Sequence, residues 1–151
     1  MTLQDTLGTH EFAKGLTGSQ ISTLASMAQA VTFEENDVIL EAGQKSTSFY
    51  LLTSGSVAVE LRTATYVVCV EALGPGKLFG WSALLDQQDT LFQVRAREHT
   101  SALLLDGARL KVACQEDSGL GNEVRHRALQ VVAGRVRATE IRFAEMCGVR
   151  V

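Results

Sequence analysis

The sequence predicts a mainly β protein with flanking helices: an antiparallel β-roll or jelly roll, preceded by N-terminal helices and followed by a long C-terminal helix. Three observations predict it. Apolar residues lie at helical spacing up to about residue 30, and between 31 and 105 they fall into short runs, one of them clearly alternating. Gly43, Gly55 and Gly74 stand between those runs, where turns are needed. After Asp106 the spacing returns to threes and fours.

Taken in order, residues 9–31 read as helical: Phe12, Leu16, Ile21, Leu24, Met27 and Ala28 share one face, with Thr17-Gly18-Ser19 as a break and restart. Strands are expected at 30–34, 37–41, 48–53, 55–61, 66–72, 90–97 and 100–105. Val57, Val59 and Leu61 alternate with Ala58 and Glu60, as on a half-buried strand. Many short strands with regular turns point to a roll or barrel. Between 74 and 85 stands Gly74-Pro75-Gly76-Lys77-Leu78-Phe79-Gly80-Trp81-Ser82-Ala83-Leu84-Leu85, a glycine-broken loop running into a short helical turn. Such a loop offers unpaired N–H groups and a positive helix end to an anion. Helices follow at about 106–116 and 122–146. In the second, Leu129, Val132, Val136, Thr139, Phe143 and Met146 step alternately by three and four. This is a short heptad seam, flanked by arginines and interrupted by the polar Thr139. A homodimer through this helix is expected; the alternative is that the stripe covers the domain's own core.

The totals narrow the function. A chain of 151 residues is expected to form a single domain over 1–151, helical in 1–30, a β-roll in 31–105 and helical again in 106–151. With 46% hydrophobic and 21% charged residues the composition is that of a globular protein. The net charge of −3 gives no overall bias toward nucleic acid, although from Gly119 onward six arginines stand against three glutamates. Cys69, Cys114 and Cys147 form no C-x-x-C pair, which suits a reducing compartment. The start has no basic, then apolar, signal pattern, and no apolar run reaches membrane-spanning length. A cytoplasmic protein without membrane association is expected.

Enzyme chemistry is not expected. His10, His99 and His126 lie in unrelated regions, no two on one strand, so a metal set is hard to assemble; none is predicted. Gly80-Trp81-Ser82-Ala83-Leu84 approaches a nucleophile elbow but ends in leucine where a second glycine is required. Gly74-x-Gly76-x-x-x-Gly80 is one residue too long for a dinucleotide fingerprint, and Gly76-Lys77-Leu78 lacks the hydroxyl residue of a P-loop. No catalytic residue can be named.

Four segments carry a resemblance: Val38-Ile39-Leu40-Glu41-Ala42-Gly43, then Phe49-Tyr50-Leu51-Leu52-Thr53-Ser54-Gly55-Ser56-Val57, then Leu73-Gly74-Pro75-Gly76-Lys77-Leu78-Phe79-Gly80, and Val94-Arg95-Ala96. In this order and spacing, over roughly residues 10–147, the chain resembles the cyclic-nucleotide-binding domain of catabolite activator proteins and protein-kinase regulatory subunits. The resemblance implies a phosphate cassette, Phe-Gly-Glu-x-Ala-Leu, followed by Arg-Ser/Thr-Ala, in which the glutamate takes the ribose hydroxyl and the arginine the cyclic phosphate. Phe79, Gly80, Ala83 and Leu84 match, but Trp81 replaces the glutamate. Thr90 falls at the arginine position and Leu91 at the Ser/Thr position, and no arginine occurs between Arg62 and Arg95. The resemblance thus marks Gly80, Trp81, Ser82, Ala83, Thr90, Leu91 and, from the long helix, Thr139 as the ligand site. Trp81 either stacks on a flat ligand or plugs the cleft; Ser82 either donates to an anion or caps the turn. Arg95, Arg97 and Lys77 are the cations that could substitute, though each reads more simply as a solvated charge. Each charge-assisted contact contributes about 1.5–3 kcal/mol, so losing two weakens a cyclic nucleotide by roughly 10²–10⁴-fold.

What the resemblance implies is a non-enzymatic sensor or regulatory module that does not bind cAMP or cGMP in the usual way. No cofactor is certain; a cyclic nucleotide or other small anion is the ligand class, and a regulatory protein the other partner. The alternatives are a ligand-free adaptor dimer, or a remnant of a transcription regulator. The chain ends at Val151, so no helix-turn-helix DNA-binding domain is expected after the long helix.

Overall fold

The computed structural model describes residues 2–84 and 89–150. Eight antiparallel strands form two four-stranded sheets, with helices at both ends of the chain. The strands are β1 (Ala28–Phe33), β2 (Val38–Leu40), β3 (Ser48–Ser54), β4 (Val57–Arg62), β5 (Val67–Leu73), β6 (Leu78–Phe79), β7 (Gln93–Ala96) and β8 (Thr100–Asp106). One sheet runs β1-β8-β3-β6 and the other β2-β7-β4-β5. The helices are α1 (Leu3–Thr9), α2 (Gly18–Ser26), α3 (Gly107–Glu116) and α4 (Ser118–Met146), with 3₁₀ turns at Glu11–Ala13 and Trp81–Leu84. This is the jelly-roll arrangement expected.

β3 organises the interior because both its faces are covered, which its unbroken Phe49-Tyr50-Leu51-Leu52 run requires. Phe49 and Leu51 pack with Leu7, Phe12, Leu24, Leu110, Leu120 and Val124 of the helices. Tyr50 and Leu52 face the other sheet, packing with its Val57, Val59 and Val94 and with Phe79 of the neighbouring β6. Tyr50 stacks on Phe79 with ring centroids 4.7 Å apart.

Several boundaries differ from expectation. Of the helical stretch expected over 9–31, the restart at Thr17-Gly18-Ser19 is where α2 begins, but residues 10–16 hold only a 3₁₀ turn, β1 already begins at Ala28, and α1 starts ahead of the expected range. Two capping boxes fix the starts: Thr2 with Asp5 for α1, and Thr17 with Gln20 for α2. His10 makes the break. Its Nδ1 accepts from the Phe12 N–H at 3.1 Å while its Nε2 donates to the Leu52 carbonyl at 2.8 Å. α4 starts at Ser118, not 122, because Asp117 caps it, accepting from the Leu120 N–H at 3.1 Å. β6 was not expected; two residues are too few to show alternation.

His10 is almost fully buried, and that burial pushes its imidazole below the ordinary 6.5, outweighing the Leu52 hydrogen bond and the Glu11 charge, which act the other way. Because the folded value is depressed, the neutral ring's contribution is complete above pH 6.5 and is lost as pH falls through the lower folded value. Urea unfolding at pH 7.5 should show His10→Ala less stable by about 1–2 kcal/mol. That gap should narrow at pH 5.

α4 reaches the body in two stages. Its first turns are buried through Leu120, Gly121 and Val124. Arg127 then ties it to the N-terminal segment, donating from Nε to the Phe12 carbonyl at 2.6 Å and from Nη2 to the Lys14 carbonyl. Beyond that point no residue of α4 is fully buried.

Candidate functional site

The turn after β6 is set by Gly80, whose φ of +83° suits glycine. A Cβ there would stand 2.4 Å from the Ser48 carbonyl oxygen. The 3₁₀ turn Trp81–Leu84 follows at once, and the Ala83 N–H donates to the Gly80 carbonyl at 2.9 Å. This turn sits directly on the start of α3: a Cβ on Gly107 would come within 2.8 Å of the Ala83 carbonyl oxygen. The cassette is therefore fixed against both the sheet and a helix.

Two connected clefts meet at this turn. The inner one, about 30 Å³, opens on the sandwich interior between Gly80, Ser82, Val59 and Val94. The outer one is a largely apolar groove of about 470 Å³. Trp81, Asp89, Thr90 and Phe92 form one wall, and Val132, Arg135, Val136, Thr139, Glu140 and Phe143 of α4 the other. Trp81, Asp89, Thr90, Phe92 and Arg135 line both.

Of the residues that the sequence marks, Gly80, Trp81, Ser82, Thr90 and Thr139 lie on these clefts. Leu91 does not: it is 76% exposed, and Phe92 is the side chain that turns inward. Ala83 is buried against α3 instead of facing a cleft. Thr90 Oγ1 accepts from the Phe92 N–H at 3.1 Å. Thr139 Oγ1 donates to the Arg135 carbonyl at 2.8 Å, bonding its own preceding turn.

None of Lys77, Arg95 and Arg97 enters the site. Arg95 is held on the face of its sheet opposite Val94, where its Nε donates to Glu60 Oε1 at 2.8 Å and Nη1 to Asn36 Oδ1 at 2.9 Å. Burial opposes ionisation of Glu60, but hydrogen bonds from Arg95 and Gln93 together hold its carboxyl below the ordinary range. Arg97 is exposed, and Lys77 borders a separate cleft on the other flank of α4.

The cation that does reach the site is Arg135 of α4, which the cassette motif cannot reveal. Its Nε donates to Glu71 Oε2 of β5 at 2.9 Å, and its guanidinium carbon lies 5.9 Å from the centre of the Phe92 ring. Ala128, Val131, Arg135 and Ala138 are all half-buried, stepping by three and four. That inward face was the available signal. Of the seam residues, Val132 is half-buried and lines the outer groove with Val136 and Phe143, while Leu129, Val136, Phe143 and Met146 are 51–69% exposed.

Among the described residues no group of His, Cys, Asp and Glu could hold a metal ion, and no helix is long and apolar enough to cross a membrane. His99 meets Glu34 on the surface and His126 meets Gln130. Cys69 and Cys147 are exposed, and Cys114 is buried.

Known proteins share this architecture. A cyclic nucleotide-binding domain from Methylobacillus flagellatus superposes with a TM-score of 0.79 at 19% identity, over 95% of this chain and 82% of that one. The catabolite activator protein of Thermus thermophilus gives 0.72 at 22% identity, over 91% and 63%. A regulatory subunit of a cAMP-independent protein kinase A from Trypanosoma brucei gives 0.72 at 22% identity, over 94% and 49%. A curated relative from Rhodopseudomonas palustris, named "Putative potassium channel protein RPA4233", is 28% identical over 134 residues, 88% of this chain. The chain spans only about a third of that relative's length, 31%. Residues 30–117 match the family model for the cyclic nucleotide-binding domain. The chain belongs to the cyclic nucleotide-binding domain family.

Proposed function

We propose that this domain is a non-enzymatic regulatory module whose cleft takes a ligand other than cAMP or cGMP held in the usual way, and whose α4 carries the signal. The observation that supports it best is the inner cleft. At about 30 Å³ it has room for roughly two waters. Trp81 borders it where a ribose-binding carboxylate would stand. The Trypanosoma regulatory subunit offers a parallel: it is named cAMP-independent, and a variant with three exchanges, one threonine to arginine, is described bound to cAMP in its A site. Here Thr90 stands at the expected arginine position. Calorimetric titration with cAMP and cGMP is the test. No saturable heat is expected below about 100 μM, and micromolar binding would overturn the reading.

The exposed stripe on α4 supports a homodimer through that helix, which would pass a change in α4 to a second subunit. Exposed Leu129 and Phe143 lie two heptads apart on one face. Leu129→Asp with Phe143→Glu should convert a sedimenting dimer to monomer, weakening association by about 2 kcal/mol or more. The thermal midpoint at high dilution should not change. A dimer that forms equally well with every ligand tested would favour the adaptor reading instead.

A further inference from the structure

We propose that the cleft binds an organic monocarboxylate, with Arg135 pairing with the carboxylate, Ser82 as a second donor, and the ligand's apolar body lying in the outer groove. This rests on the preceding reading of the cleft as a ligand site coupled to α4, and names the class of ligand.

Two polar groups inside the site are unspent. Arg135 offers five N–H donors in a planar fork, and only Nε is engaged, with Glu71. Among the described residues its Nη1 and Nη2 donate no hydrogen bond, yet the side chain is only 12% exposed and lines both clefts. Phe92 beneath the guanidinium and Glu71 at its Nε edge fix the plane, so the open edge is presented without further ordering. Ser82 is 7% exposed and lines the inner cleft, and its hydroxyl has no partner among the described residues. The oxygen is not sealed off, so the donor is open to a ligand group in the cleft.

Size and charge then select the ligand. An inner cleft of about 30 Å³ accepts a three-atom carboxylate but not a ribose fused to a cyclic phosphate. The adjoining groove of about 470 Å³ lies within the usual range for small-molecule sites, and its walls of Trp81, Phe92, Val132 and Val136 suit an aromatic or aliphatic body. Arg135 already shares its charge with Glu71, and Asp89 and Glu140 stand at the outer groove. Against these three carboxylates a doubly charged phosphate would be repelled more than a singly charged carboxylate, which leaves the open guanidinium edge able to hold the latter. Because the pairing residue comes from α4 and the hydroxyl from the cassette, such a ligand would bridge the two directly.

Trp81 is the chain's one tryptophan, so a single indole N–H resonance reports on the site in ¹⁵N–¹H spectra of the full chain. The probes are indole-3-acetate and octanoate, their neutral amides, and the cation tryptamine. Both carboxylates should shift the indole signal saturably, with the amides about tenfold weaker or more. Arg135→Gln should weaken the carboxylates about tenfold or more and leave the amides unchanged. Arg135→Lys should restore part of the loss, and Ser82→Ala should cost roughly threefold. Glu71→Gln should tighten carboxylate binding, a gain that misfolding cannot mimic. Equal binding of acid and amide, tighter binding of tryptamine, indifference to Arg135→Gln, or no saturation up to about 10 mM would each overturn the proposal. Carboxylate binding at Arg135 that leaves the α4 amide resonances unmoved would uphold this site and sink the sensor reading; micromolar cAMP binding would sink that reading by the separate calorimetric route.

Discussion

A chain carrying Trp81→Glu and Thr90→Arg together is expected to bind cAMP roughly 10²–10⁴-fold more tightly than the native sequence, from two restored contacts of about 1.5–3 kcal/mol each. Both positions line the inner cleft, beside the turn that Gly80 fixes against Ser48. Removing the indole enlarges the cleft at the point where a ribose must enter, and the carboxylate supplies an acceptor there. The arginine introduces a guanidinium on the cassette side, independent of Arg135 on α4. Each single change should recover only part of the affinity, because either contact alone leaves the other polar group of the ligand unpaired. Trp81 also packs against the helical core, so the double variant should be less stable without ligand. Calorimetry on protein of verified native dispersion is the check. A folded double variant that still ignores cAMP would mean that Arg135 and Phe92, not the missing cassette residues, close the pocket.

The β-roll was legible because its strands are short and bounded by residues with turn chemistry. β3, β4, β5 and β8 lie within a residue or two of the expected ranges. The helix start at Thr17-Gly18-Ser19 was legible too, whereas the Asp117 cap and the two-residue β6 were not. The break at His10 depends on a hydrogen bond to Leu52, forty-two positions away, which no local pattern contains. The motif's spacing assigns Leu91 to the site, but whether a loop side chain turns in is decided by packing, and Phe92 is the one that does. Leu85–Gln88 of that loop lie outside the described residues. Arg135 shows the limit most clearly. The cassette motif marks an anion site by neighbours in sequence, whereas a helix arriving from residue 118 onward brings a cation to the same place through space.

Gly80→Ala is expected to lower stability by about 3 kcal/mol or more, a fall in melting temperature of roughly 6–12 °C. The positive φ alone accounts for about 1–2 kcal/mol. The remainder comes from the methyl group, which would stand 2.4 Å from the Ser48 carbonyl oxygen. That carbonyl belongs to the β3 backbone, two residues from where Tyr50 pairs with Phe79, so it cannot retreat without opening the β3–β6 ladder. Two further glycines separate these causes. Gly43 has a φ of +80° with nothing within 4 Å of an added Cβ, so Gly43→Ala should cost only the backbone share. Gly134 lies inside α4 with open space around it and no positive φ, so Gly134→Ala should stabilise by roughly 0.5–1 kcal/mol. Thermal unfolding of the three variants should rank them in that order. If Gly80→Ala cost no more than Gly43→Ala, the close approach of cassette to β3 would not be what holds the turn, and the narrowness of the inner cleft would need another cause.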